Sequence, residues 1–295
     1  MTIKALDASP VEAPSSVPRK RRLTRVISGS ASMRLGLIVV AVLAVIAIGA
    51  NFWTPYNPTA SGTGRAYQAP SLAHLFGTDR VGADVFSQTM AATSLDVGLT
   101  LAAVLIAFAV GTVIGALAGF YGRWVDMVIM RLMEILQAFP SLLLAMLMVA
   151  AVGSGLVNVI VVVAIVGIPN YVRLVRAEVL SRKTWQFAEA AKMVGNRPIR
   201  VLFRHLVPNS LEPLIAFSSV NASWVAVIIA SLGFIGLGIQ PGSAEWGSMI
   251  SRGQDGIVTG EWWMSFFPGM AILVLAGAFY LIGDGLSDAT GTRRS

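Results

Sequence analysis

Charge along this chain falls in blocks, and the stretches between them are apolar and long enough to cross a bilayer. Leu35 to Trp53 is a run of nineteen uncharged residues ending in Phe52-Trp53, aromatic residues of the kind that settle at headgroup level. A second run extends from Val97 to Phe120. From Ile135 to Val172 no charge appears over 38 residues, too many for one ordinary span. Gly153-Ser154-Gly155 divides that run in two, and Pro140, within Ala138-Phe139-Pro140-Ser141, is expected to kink the first half. Pro213–Ile239 and Trp262–Gly283 complete six predicted transmembrane helices, so the fold class is all-α and both termini share one side. The polar stretch before Leu35 is long, and the apolar run outlasts the core of a secretion signal. The first span therefore reads as a retained helix.

The polar blocks orient the bundle. Residues 1–34 contain Arg19-Lys20-Arg21-Arg22 and Arg25 in a Pro-, Ser- and Ala-rich context, which predicts a disordered basic tail against anionic headgroups. With that tail inside, nineteen Lys and Arg fall on the cytoplasmic side against Arg65, Arg80 and Arg252 outside. The domain plan is a tail at 1–34, a transmembrane domain at 35–288 and a short cytoplasmic tail at 289–295. The net charge of +7 belongs to this asymmetry and does not point to nucleic acid. Gly111, Gly115 and Gly119 recur every fourth residue, a stripe suited to close helix contact within the subunit.

Composition supports the membrane reading, with 55% apolar and 13% charged residues. The absence of cysteine removes disulfides, thiol catalysis and thiolate metal sites. His74 and His205 fall on opposite sides of the membrane, so neither a histidine metal site nor a cofactor is expected. No Gly-x-x-x-x-Gly-Lys-Ser/Thr phosphate loop is present, and no enzyme site emerges.

The most charged internal block, about Arg173 to Glu212, lies in the cytoplasm and carries a short predicted helix from Trp185 to Val194. Thr184 can cap its start and Gly195 suits the left-handed residue beyond its end. Ala188, Ala190 and Ala191 are small residues that allow close approach, and Glu189 can meet a basic partner. This Glu189-Ala190-Ala191, three residues, then Gly195, with His205-x-x-Pro208 beyond, resembles the cytoplasmic coupling loop of ABC-importer permeases, here about 180–209. Further segments resemble the dipeptide, oligopeptide and nickel importer permeases, in particular their second, "C"-type subunit. They are His74 to Val85, Gly119 to Asp126, Arg131-Leu132-Met133, Ala138 to Ser141, Ser231 to Pro241, Trp246-Gly247-Ser248 and Gly283 to Asp288. Ala83 stands where that family usually has Arg, and residues 1–30 match nothing.

The resemblance implies a type I ABC-importer permease fold in a bacterial inner membrane. It implies pairing with a second homologous permease, two ABC ATPase subunits that hydrolyse the ATP, and an extracytoplasmic binding protein. Di- or oligopeptides are the expected cargo, with nickel, glutathione or another small solute as alternatives. Glu189, Ala190, Ala191, Gly195, His205 and Pro208 would then couple to the ATPase. Ser218, Ser219, Asn221 and Ser223 sit at mid-membrane depth, where facing lipid is unfavourable; they either line the path or make interhelical hydrogen bonds. Glu134 and Asp284 fall near cytoplasmic helix ends; Glu134 is expected to pair with Arg131, with a proton relay as the functional alternative. A stand-alone secondary transporter would need internal repeats and carboxylates buried at mid-span, and the sequence offers neither.

Overall fold

The computed structural model describes residues 30–239 and 243–290, without the side chains of Phe187, Ala188, Glu189, Lys192, Ala289 and Thr290. Most of the expected basic tail and Gln240-Pro241 lie outside these residues. The described chain is helical: α1 (Ala31–Gly49), α2 (Val85–Tyr121), α3 (Arg123–Gln137), α4 (Ser141–Val152), α5 (Leu156–Arg182) and α6 (Gln186–Met193). After these come α7 (Pro198–Val201), a π turn (Leu202–Leu206), α8 (Val207–Asn209), α9 (Leu211–Phe234), α10 (Trp246–Thr259) and α11 (Trp263–Thr290).

Side-chain caps set several starts. Ser30 Oγ accepts from Met33 N at 3.3 Å, and Asp84 Oδ2 accepts from Ser87 N at 2.8 Å. Five helices, α1, α2, α5, α9 and α11, are long and apolar enough to cross a membrane, and a sixth crossing exists if α3 and α4 count as one bent span. The kink expected at Pro140 is a break: α3 and α4 meet at 88°. Pro140 is extended, with φ −54° and ψ 132°, and proline disfavours helical backbone at the residue before it. α3 itself is amphipathic. Trp124, Met127, Val128, Leu132 and Ile135 are exposed along one of its faces, while Met133 is buried. The expected Arg131–Glu134 pair forms on this helix at 2.8 Å.

α2 packs along α5 through the predicted glycine stripe. A Cβ at Gly111 would stand 2.4 Å from the Tyr171 Cβ, one at Gly115 2.6 Å from the Val172 carbonyl oxygen, and one at Gly119 2.8 Å from that of Arg176. The stripe is therefore an internal packing surface. α11 closes the bundle against α9 and α1. One apolar cluster gathers Leu99, Val159, Ile229, Leu232 and Trp246; a second, around Val179, Leu202, Leu206 and Leu214, lies under α6. Between α1 and α2 an ordered loop folds over the bundle. Its His74 Nδ1 lies 2.9 Å from Asp84 Oδ1 under the stacked ring of Tyr56, and Trp263 Nε1 donates to the Thr78 carbonyl at 3.1 Å.

Candidate functional site

The short helix α6 stands on a rigid base. α5 ends at Arg182, and the Trp185 N–H bonds the Arg182 carbonyl at 3.1 Å to turn the chain. The helix begins one residue later than Trp185, and the Thr184 hydroxyl donates back to the Ser181 carbonyl at 3.5 Å. At its other end Gly195 has φ +81°, and Asn196 N bonds the Ala191 carbonyl at 3.3 Å, six residues closing on one as in a Schellman stop. Asn196 Nδ2 reinforces the same carbonyl at 3.0 Å.

The residues that the resemblance names for coupling divide by direction. Ala191 is 8% exposed and packs with Val179, Val201 and Leu202, so it seats the helix on the bundle. Ala190 and Gly195 are exposed, beside Met193 at 87% and Val194 at 83% exposure. Glu189 has its backbone within α6, and its side chain lies outside the described residues. His205 is half-buried in the π turn, where its carbonyl accepts from Asn209 Nδ2 at 2.6 Å. Pro208 is exposed and accounts for that turn: it has no N–H for the Arg204 carbonyl, and its ring would press on that carbonyl. The helix widens instead, with Val207 N reaching the Leu202 carbonyl.

Ion pairs stiffen the base. Arg176 grips Asp126 with Nε on Oδ1 and Nη2 on Oδ2 at 2.6 Å, tying α3 to α5. Lys183 Nζ donates to the Gly119 carbonyl at 3.4 Å, tying the end of α5 to α2.

At mid-membrane depth the four polar residues of α9 have different fates. Ser218 and Ser219 donate to the carbonyls of Leu214 and Ile215 on their own helix, at 2.7 and 3.3 Å. Ser223 donates to Ala276 on α11 at 2.7 Å, an interhelical bond. Asn221 Oδ1 accepts from the Tyr171 hydroxyl at 3.3 Å and lines a cavity of about 380 Å³ between α4, α5 and α9. Ser141, Asn170 and Trp224 share that cavity and were not named for the path from the sequence. Asn170 carried a usable signal, as an amide inside an otherwise apolar run. It accepts from Gln137 Nε2 at 3.0 Å, and the buried Gln137 Oε1 has no hydrogen-bond partner among the described residues.

The end of the bundle beside the loop between α1 and α2 holds two acids that sequence reasoning passed over. Asp96, placed by the sequence before the second span, lies within the N-terminal part of α2 and is 4% exposed. Its Oδ2 accepts from Trp246 N at 3.2 Å. Glu245 is 2% exposed and caps α10, with Oε1 on Gly247 N and Oε2 on Ser248 N, both 2.8 Å. Burial pushes the Glu245 pKa up, against the pull of these hydrogen bonds.

Comparison with known proteins bears on all three regions. A family model described as "Binding-protein-dependent transport system inner membrane component" matches residues 111–293. The chain is similar to the dipeptide transport system permease protein DppC of Alkalihalophilus pseudofirmus, 39% identical over 255 residues, 86% of this chain and 84% of that one. It matches the glutathione transport system permease protein GsiD of Pectobacterium atrosepticum at the same identity and coverage. The nickel transport system permease protein NikC of Escherichia coli K12 is 36% identical over 262 residues, 89% of this chain and 94% of the relative.

Proposed function

Because the chain belongs to the binding-protein-dependent transport system inner membrane components, we propose that it is half of the translocation path of an ATP-driven peptide importer, with α6 as its coupling helix. A second homologous permease supplies the other half, two ABC ATPase subunits sit on the cytoplasmic face, and an extracytoplasmic binding protein delivers cargo. This chain is a multi-pass inner-membrane subunit, and ATP is hydrolysed on the ATPase subunits, since it has no phosphate loop. Both termini are cytoplasmic, with a basic tail at 1–34, the permease domain at 35–288 and a short tail at 289–295.

The observation that carries the reading is the division of α6 into a seated side and an open tip. Ala191 holds the helix to the bundle, while Ala190, Met193 and Val194 are free to enter a groove on an ATPase subunit. Glu189 would meet basic residues at the rim of that groove. Closure of the ATPases on ATP moves α6, and the π turn before Pro208 passes the motion into α9. α5 and α9 both wall the mid-membrane cavity, so their displacement reshapes it. Asn221 and Asn170 offer amide groups along that path, while Ser218, Ser219 and Ser223 hold its helices.

Peptide cargo agrees with the amide, hydroxyl and indole groups around the cavity, which suit a peptide backbone. The dipeptide and glutathione relatives carry similar cargo in their names; the nickel relative keeps nickel open as the alternative. The test is uptake of labelled dialanine by the complete importer in proteoliposomes, wild type against Gly195→Asp. A β-carbon at φ +81° costs on the order of 1–2 kcal/mol and unseats the helix stop. Uptake is expected to fall at least about tenfold, with ATPase no longer stimulated by loaded binding protein, while the permease pair still assembles. Undiminished uptake in the variant refutes α6 as the coupling helix. Wild-type ATPase that responds to nickel and never to peptide overturns the cargo.

A further inference from the structure

A second cavity, of about 440 Å³, opens at the outer end of the molecule. Its walls are turns at 58–61 and 79–83, the start of α2, the end of α9 and one face of α10. Four charged residues face it: Asp79, Arg80, Glu245 and Arg252.

The acids are already committed to the fold. Asp79 Oδ1 accepts from the N–H groups of Val81 and Ala83, both at 2.9 Å, and its Oδ2 accepts from Gln88 Nε2 at 3.3 Å. Glu245 spends both oxygens on the N-terminus of α10. The bases are not so committed. Among the described residues neither Arg80 nor Arg252 has a carboxylate oxygen within 4.0 Å, and Arg252 Nη1 donates to the Ser248 hydroxyl at 3.3 Å. Partial burial pulls the Arg252 pKa below its ordinary value, opposed by Asp79 and Glu245 and assisted by Arg80. Arg80 and Arg252 are both solvent-exposed at the cavity and have donors to spare, and a carboxylate is the anion a guanidinium fork fits.

The geometry points to a carboxylate subsite in this outer cavity, where Arg252 and Arg80 take the C-terminal carboxylate of the incoming peptide. This rests on the peptide reading above and adds the group by which the subunit recognises its cargo. A small solute fits the place better than a protein side chain does. The site is a pocket of ligand size, and it shares Pro58, Thr59 and Ala244 with a neighbouring cavity of about 520 Å³ that reaches Leu156 and Ile160 on α5. Steps of three or four residues carry that α5 face from Ile160 to Val163, Gly167 and Asn170, which wall the mid-membrane cavity. A peptide held at Arg252 therefore lies at the head of a line of cavities leading inward.

The test uses the complete importer in proteoliposomes, with the binding protein saturated by either labelled dialanine or dialanine amide, which lacks the carboxylate. Arg252→Gln and Arg80→Gln are each expected to lower dialanine uptake about tenfold, the loss of a charge-assisted hydrogen bond, and to leave amide uptake unchanged. Arg252→Lys, which keeps the charge and loses the fork, should fall between. Yield of the assembled complex guards against misfolding, and docking of the binding protein is measured alongside. Equal dialanine uptake by wild type and the glutamine variants overturns the proposal and leaves peptide transport standing. Equal loss of both solutes, tracking weaker docking, assigns the guanidiniums to an acidic side chain of the binding protein and also overturns it. Wild type that carries neither solute sinks the peptide reading itself, and this subsite with it.

Discussion

Glu245 caps α10 from a buried position, and this makes one carboxyl group a pH-dependent element of the fold. Asp96, on the neighbouring Trp246 N–H, and Arg252 are the charged groups around it. Burial raises its pKa above the ordinary 4.5, so the folded state binds the proton more tightly than the unfolded chain. The stabilising contribution is complete below pH 4.5 and is lost as pH rises through the folded pKa. The melting temperature of the purified complex should decline over that window, and Glu245→Gln should flatten the decline. Glu245→Ala strands two N–H groups and should cost on the order of 2–4 kcal/mol throughout, read from chemical denaturation. Residues of this kind were hidden in the sequence, because a lone Glu before Trp246 looks like any loop acid until α10 is seen. Gly195 was legible for the opposite reason: a helix stop is local chemistry, written within a few residues. The serines of α9 misdirect, since a hydroxyl in a helix can satisfy itself on the carbonyl four residues back.

At the scale of elements, the contact between α2 and α5 depends on the absence of side chains. Gly111→Val would drive a branched side chain into the Tyr171 Cβ, 2.4 Å from the first added carbon, and should cost about 1–3 kcal/mol or prevent assembly. Gly98, on the same helix, has open space around it, and Gly98→Ala should instead gain about 0.5–1 kcal/mol. Thermal unfolding of the two variants beside wild type checks both signs. The long spans were legible because their apolar runs exceed what a soluble helix carries. The two amphipathic helices were not, since a scan for uncharged runs passes over α3 with its Arg123, Asp126, Arg131 and Glu134. α10 is further disguised by Gly247, Gly253 and Gly256, poor helix formers in isolation. Packing explains them: a Cβ at Gly247 would lie 2.0 Å from the Ala230 carbonyl oxygen, and one at Gly256 2.4 Å from the Met264 methyl. Tertiary contact, which no local pattern records, selected those glycines.

For the whole molecule, the orientation inferred from positive charge can be checked directly, because a chain without cysteine accepts single reporters cleanly. Ser61→Cys, in the outer loop, should react with a membrane-impermeant maleimide on intact spheroplasts. Val194→Cys, at the tip of α6, should react only after permeabilisation, and the reverse pattern would invert the topology. The break at Pro140 has a consequence for the bilayer itself. α4 has twelve residues, about 18 Å of helix at 1.5 Å per residue. Hydrocarbon is about 30 Å thick, and its interior does not tolerate the irregular backbone that follows at Gly153-Ser154-Gly155. Protein or water must therefore replace lipid above α4. Where water fills that place, the insulating layer beside α4 is thinner than elsewhere, and the membrane voltage falls across that shorter distance, so a charged solute passing there meets a steeper field than it would in open bilayer.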